Sequence, residues 1–255
     1  MNKIGVADYG MGVWEGGAFS LERRLATVKE CGYDGIEVLK GRDTFDMVSK
    51  AALFRKMGMD FISCNVADDH ENTFRCAAAL KCEYVWLNCG KATRDVPYEV
   101  WIRRAKEYVA CAADAGLKCA LHNHLGSVIE SEEELRRFME DVPEALLLLD
   151  IGHLAAMEGN VNQVITDYLP RLAAVHLKDV LIKDASVPMG ADNWWDRLEF
   201  REFGAGNIGL DIPGTVKHLK SSGFSKWLLV EQDTHKRAPA LDLIHNMQIL
   251  QAALR

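Results

Sequence analysis

Short runs rich in Val, Ile, Leu and Cys alternate along the chain with longer amphipathic stretches. Apolar runs of that kind predict strands, and the longer stretches with a helical period predict helices. The predicted strands are Lys3–Asp8, Gly35–Leu39, Asp60–Asn65, Tyr84–Asn88, Lys118–His122, Leu146–Asp150, Ala173–Leu177 and Trp227–Glu231. Helical patterns lie between them at Leu21–Gly32, Val96–Gly116 and Ser131–Val142. Ser131 followed by Glu134 has the spacing of a capping box. Gly32, Gly58, Gly116 and Gly223 stand just before the next strand, where left-handed helix C-caps are expected.

Near-continuous apolar strands imply burial on both faces, and strict alternation with helices implies parallel pairing through right-handed crossovers. Eight such units close a (β/α)8 TIM barrel, with a doubly wound open sheet as the competing architecture. The 255 residues carry no Pro-rich or Ser/Gly-rich linker, so residues 1–255 are expected to form one barrel domain. One segment, Val180–Asn207, breaks the rhythm as a long polar loop carrying Trp194 and Trp195; loops of that length are usually functional.

A formal net charge of -7 with both signs interspersed argues against a nucleic-acid partner. The N-terminal residues reach Asp8 before any apolar run that would serve a signal peptide, and no apolar stretch approaches bilayer-spanning length, so a cytoplasmic protein without membrane contact is expected. The seven cysteines are odd in number and form no CxxC pair, which predicts reduced core thiols. Assembly into identical subunits stays open.

The candidate chemistry lies in where the ionisable residues fall. Side chains at the C-terminal ends of parallel barrel strands converge on one mouth, where active sites are built. His122 and His124 follow the fifth predicted strand, Asp150 and His153 the sixth, His176, Lys178 and Asp179 the seventh, Glu231 and Asp233 the eighth. Two imidazoles and two carboxylates make a mixed N/O set suited to one divalent ion such as Mn, Fe, Co or Zn, with Mg a further candidate. Such an ion polarises a carbonyl and acidifies the neighbouring C–H, which a nearby base then deprotonates.

The segments YDGIEV (Tyr33–Val38), LHNHLGS (Leu121–Ser127), LDIGH (Leu149–His153), VHLKD (Val175–Asp179), EFGAGNIGLD (Glu202–Asp211) and VEQD (Val230–Asp233) resemble the xylose isomerase-like barrel family of sugar phosphate isomerases/epimerases. The HNHLGS, DIGH, HLKD and VEQD set is most similar to its inosose dehydratase branch. The resemblance implies a divalent metal held by His122, Asp150, His176 and Glu231. It also implies a departure: many members carry a glutamate where this chain has His122, and two opposed carboxylates then serve an epimerase. An imidazole there favours a lyase or isomerase with His124 as the acid/base group, while Glu37 and Glu130 are the candidate replacements for the missing carboxylate.

Each residue also has a bland reading. His122 and His124 could be satisfied core histidines, Asp150 a helix cap with His153 at the surface, Lys178–Asp179 a solvated pair, and Glu231 half of a buried ion pair. The register of four strand ends favours the site instead, with Glu231 doubling as a catalytic carboxylate, Lys178 binding a developing oxyanion, and His153 and Glu37 contacting substrate. Trp194 and Trp195 pack the loop, close over a ligand or meet a partner subunit; Trp14 and Tyr9 are candidates for a substrate wall. Gly204, Gly206 and Gly209 satisfy GxGxxG but lack the preceding strand of a dinucleotide site, and read as a tight loop into a helix starting at Asp211 and Pro213. The expected reaction is proton transfer on a small polyhydroxylated carbonyl compound, an inosose dehydratase-like lyase or a ketose isomerase or epimerase. A repair endonuclease, which needs more zinc ligands and a basic groove, and a non-catalytic sugar-binding subunit are the readings from other classes.

Overall fold

A computed structural model describes residues 2–13, 19–67, 69–189 and 193–255. Its strands in chain order are β1 (Ile4–Ala7), β2 (Gly35–Ile36), β3 (Val38–Gly41), β4 (Ser63–Val66), β5 (Val85–Trp86), β6 (Cys119–His122), β7 (Leu146–Asp150), β8 (Leu172–Leu177), β9 (Asp179–Ile182), β10 (Leu198–Arg201) and β11 (Trp227–Glu231). Seven of them form a parallel sheet in the order β2-β1-β11-β8-β7-β6-β5, and β3 pairs in parallel with β4. β2 and β3 are one barrel strand interrupted at Glu37. The seam between β4 and β5 is bridged where the Glu83 N–H donates to the Ile62 carbonyl at 2.8 Å. The sheet therefore curls into a TIM barrel, as the alternation of the chain predicts.

Side chains on these strands alternate between two cores, as a period of two requires. Leu147, Leu149, Val175, Leu228 and Val230 face outward into the layer shared with the helices. Ala120, Leu148, Ala174, Trp227 and Leu229 face inward and fill the barrel. Extending each inward series by two residues reaches His122, Asp150, His176 and Glu231, the last inward positions before the mouth. Packing thus aims all four at one point.

The helix ends follow the sequence. Ser131 accepts from the Glu134 N–H while the Glu134 carboxylate accepts from the Ser131 N–H, a complete capping box. Gly58 closes the helix Thr44–Met57 at φ 64°, a left-handed position that glycine adopts without Cβ strain. Gly35 lies so close to the adjoining backbone at Asp60 that a Cβ would meet the Asp60 carbonyl oxygen at 2.1 Å.

The Val180–Asn207 segment departs from the loop expected of it. β9 and β10 form an antiparallel pair there, with a short helix, Trp194–Arg197, between them immediately before β10. Asp179 anchors this hairpin by accepting from Gly204 and Gly206 N–H at 2.7 and 3.1 Å, and a Cβ on Gly206 would meet its Oδ1 at 2.0 Å. Gly204 and Gly206 of the GxGxxG match therefore wrap a carboxylate, and the helix Ile212–Ser221 begins after Asp211 as the tight-loop reading requires. Among the described residues no helix is long and apolar enough to cross a membrane.

Candidate metal centre

One ligand atom from each of His122, Asp150, His176 and Glu231 lies within 4.8 Å of the others. Asp150 and His176 are register partners on β7 and β8, which brings His176 Nδ1 3.6 Å from Asp150 Oδ2 and 2.6 Å from Glu231 Oε2. His122 Nε2 stands 3.5 Å from Asp150 Oδ2. Both of those atoms are buried and make no hydrogen bond. Leaving such an atom without a hydrogen bond costs about 1–3 kcal/mol, so two of them aimed at one point fit the donors of a cation site. The mixed N/O donor set suits a divalent transition metal, and the residues fit that group.

Buried carboxylates and cations around this point set one another's charge. Burial works against ionised Asp150, but His153 and Lys178 outweigh it and hold its carboxyl well below the usual range. Glu231 is likewise brought down to about 2, burial being overcome by Lys178 and His176. Lys178 is fully buried, 3.1 Å from Glu231, 3.3 Å from Asp150 and 3.2 Å from Asp233. Burial opposes its charge, yet these carboxylates keep its ammonium protonated well beyond neutral pH. Burial pushes Asp233 up to about 6 against the pull of Lys178.

His124 stands beside the cluster, its ring centroid 5.7 Å from that of His122. Its Nδ1 lies 2.6 Å from the Leu125 carbonyl, which can only accept, so Nδ1 carries the proton and Nε2 is left as a base. Burial, aided by the neighbouring His122 and Lys178, brings His124 down to about 4, which keeps it neutral near pH 7.

Asp150 has an oxygen for each of the two parts that the sequence set against each other. It accepts from the His153 N–H at 2.9 Å as the cap of the helix Ile151–Ala156 while its other oxygen points into the cluster. His153 is accordingly buried rather than on the surface, with Nε2 3.1 Å from Lys178 Nζ. Glu37 is also buried: Oε1 accepts from Tyr84 OH and Trp86 Nε1, both at 2.8 Å, and Oε2 lies 2.8 Å from His176 Nε2. Its oxygens are engaged by the protein, so the geometry makes it a support for His176 more than a substrate contact. Glu130 is drawn away from the cluster, accepting from Gly126 N–H at 2.6 Å.

Trp194 forms edge contacts with His124 and His153, with centroids 6.0 and 6.3 Å apart, whereas Trp195 is 51% exposed. Trp14 lies outside the described residues. Sequence reasoning passed over Asn123, which is buried and clamps the Asp150 backbone by accepting from its N–H at 2.9 Å and donating to its carbonyl at 3.0 Å. The polar residue between two histidines in HNH was the available signal. It also passed over Tyr84 and Trp86, whose spacing of two on a barrel strand places both facing inward.

A cavity of about 270 Å³ opens beside the cluster, bordered by Glu37, Trp86 and Glu231 on one side and by Asp8, Lys40 and Asn65 on the other.

The family model described as a xylose isomerase-like TIM barrel matches residues 65–253. An inosose dehydratase from Yersinia enterocolitica is 32% identical over 142 residues, covering 52% of this chain and 48% of that protein. The chain thus spans about half the length of such a relative. Among solved structures, an L-ribulose 3-epimerase superposes with a TM-score of 0.74 at 17% identity, covering 100% of this chain and 95% of the other. The IOLI protein, solved with a bound zinc atom, superposes with a TM-score of 0.69 at 18% identity, covering 99% and 98%. At these identities the two structures speak for the fold alone.

Proposed function

The chain belongs to the xylose isomerase-like TIM barrel family, and on that premise we propose that it is a divalent-metal-dependent enzyme acting on a keto-polyol or ketose. Residues 1–255 act in this reading as one barrel domain. The reaction is proton transfer at the carbon beside a carbonyl, with an inosose dehydratase-like elimination of water as the favoured special case. The observation that carries the proposal is the convergence of His122, Asp150, His176 and Glu231 around two unsatisfied buried atoms.

The metal, when bound, supplies positive charge that polarises the substrate carbonyl. The chain's own residues supply the rest. His124 Nε2, neutral and unprotonated, accepts the proton from carbon. Lys178, held charged, donates a hydrogen bond to developing negative charge. In an elimination the C–H electron pair forms the new double bond, the neighbouring C–O bond breaks, and the departing hydroxide takes the proton that His124 accepted from carbon and leaves as water. Trp194 and Phe200 pack against His153 and keep this corner dry, which strengthens each charge interaction. An epimerase with two opposed carboxylates fits less well, because His122 stands at one such position and Glu37 is occupied by three donors.

The test is metal analysis of purified protein followed by proton exchange from deuterated water into a panel of ketoses and inososes. Deuterium at the carbon beside the carbonyl with loss of water supports the dehydratase, and exchange with isomerised product supports the isomerase. Metal-replete protein that exchanges no substrate proton refutes the proposal.

A further inference from the structure

We propose that the mouth face built by β3, β4 and the end of β5 is a second subsite, which binds an anionic group at the end of the substrate remote from the metal cluster. This deepens the functional reading above and rests on it for the identity of the other end. On β3, Leu39 turns into the outer core while Val38 and Lys40 line the cavity; on β4, Cys64 and Val66 belong to the outer core, Ser63 and Asn65 line the cavity, and Cys64 also borders it. The register pairs Val38 with Ser63 and Lys40 with Asn65. Trp86 and, two residues on, Asn88 continue the two rungs on the next strand. The lower rung is Val38, Ser63 and Trp86; the upper rung, at the mouth, is Lys40, Asn65 and Asn88.

Among the described residues none forms a hydrogen bond with the side chains of that upper rung. Ser63 below it is fully buried, and its Oγ has no hydrogen-bond partner. A buried hydroxyl facing a cavity without a partner is costly unless a ligand or water meets it. The charges on the walls point to the sign of that ligand. Asp8 is paired with Arg24 and also feels Lys40, so two cations stand by one carboxylate. The other cavity-lining carboxylates are engaged: Glu37 by Tyr84, Trp86 and His176, and Glu231 by His176 and Lys178. Lys40, flanked by two amides that can donate, is left as the uncompensated charge, a set that suits a carboxylate on a hydroxylated chain.

D-gluconate and D-sorbitol have the same carbon count and differ in one carboxylate, so they serve as probes. Calorimetric titration of chelator-treated, metal-free protein at low ionic strength keeps gluconate from binding through the metal. Gluconate should bind about tenfold more tightly than sorbitol, as one charge-assisted contact allows. Lys40→Met should erase that preference. Asn65→Asp, which sets a carboxylate opposite Lys40, should erase it too while keeping the lysine. Undetectable gluconate binding, equal affinity for the two probes, or a preference that survives Lys40→Met in folded protein overturns the subsite. The two readings fail separately: Lys40-dependent gluconate binding in a protein without metal-dependent exchange sinks only the proposed function, and exchange with no Lys40 effect sinks only the subsite.

Discussion

Replacing Glu37 by glutamine tests whether the cluster is held in shape by a carboxylate behind it. Glu37 accepts three hydrogen bonds at 2.8 Å, from Tyr84 OH, Trp86 Nε1 and His176 Nε2, and is 1% exposed. An amide offers one oxygen and one NH2 to those donors. With its oxygen toward Tyr84 and Trp86, the NH2 faces His176 Nε2, which must then lose its proton, moving it to Nδ1, the nitrogen that faces Asp150 and Glu231. With the amide reversed, the NH2 confronts the Trp86 N–H, which cannot accept. The first arrangement puts a proton on the His176 nitrogen that faces the cluster, and the second strands a buried donor at about 1–3 kcal/mol. Supports of this kind behind a ligating histidine are typically worth about 10–100-fold in metal affinity. Competition for zinc between the protein and a chromophoric chelator should show that loss in Glu37→Gln, with circular dichroism confirming the fold. Tyr84→Phe is the control: it removes one donor from Glu37 without touching His176 and should leave zinc affinity nearly intact. Unchanged zinc affinity in folded Glu37→Gln would refute the argument.

Two further outcomes follow from the site. His122→Ala or Glu231→Ala should abolish both bound metal and turnover, and full metal occupancy in either variant removes that residue from the ligand set. Stability in the metal-free protein should depend on pH through His124, whose value falls to about 4 in the folded chain against an ordinary 6.5. A histidine depressed by folding stabilises above its unfolded value, and that stability is lost as pH falls from about 6.5 towards 4, up to about 3 kcal/mol if the whole shift is realised. Urea midpoints at pH 7 and pH 4.5 should differ less in His124→Phe than in the parent protein; an equal difference would assign the acid sensitivity elsewhere.

The barrel was legible because its signal is repeated: apolar strands such as Leu146–Asp150 and Trp227–Glu231 recur with helices between them. The convergence of His122, Asp150, His176 and Glu231 was legible for the same reason, each standing at the end of a strand whose inward series packs the barrel. What escaped was set by tertiary neighbours. Nothing in the composition of Val180–Asn207 distinguishes a polar loop from a hairpin, because β9 and β10 depend on Asp179 gathering the backbone of Gly204 and Gly206. Glu37 looked like a substrate contact because its three donors come from residues 47, 49 and 139 positions away. Asp150 seemed to face a choice between capping a helix and facing the cluster, but a carboxylate has two oxygens: Oδ1 caps the helix and Oδ2 points into the cluster.

A competing account treats the cluster as a purely structural network of buried ion pairs, which Lys178 alone would anchor. Such networks persist when every polar atom is satisfied, since a partly satisfied one is worse than an apolar core. Here Lys178 stands within ion-pair distance of Glu231, Asp233 and Asp150 Oδ2, and His176 of Glu231, yet neither His122 Nε2 nor Asp150 Oδ2 makes a hydrogen bond. The two accounts diverge when metal is added. A ligand at about a hundred times its dissociation constant stabilises the folded chain by about 2.7 kcal/mol, which for a protein of this size raises the melting temperature by about 5–10 °C. If the network is structural, manganese or zinc leaves the melting temperature of the parent protein where a chelator puts it. If it is a metal centre, the rise appears in the parent and is absent from His122→Ala, a residue that the ion-pair account gives no part in holding Lys178.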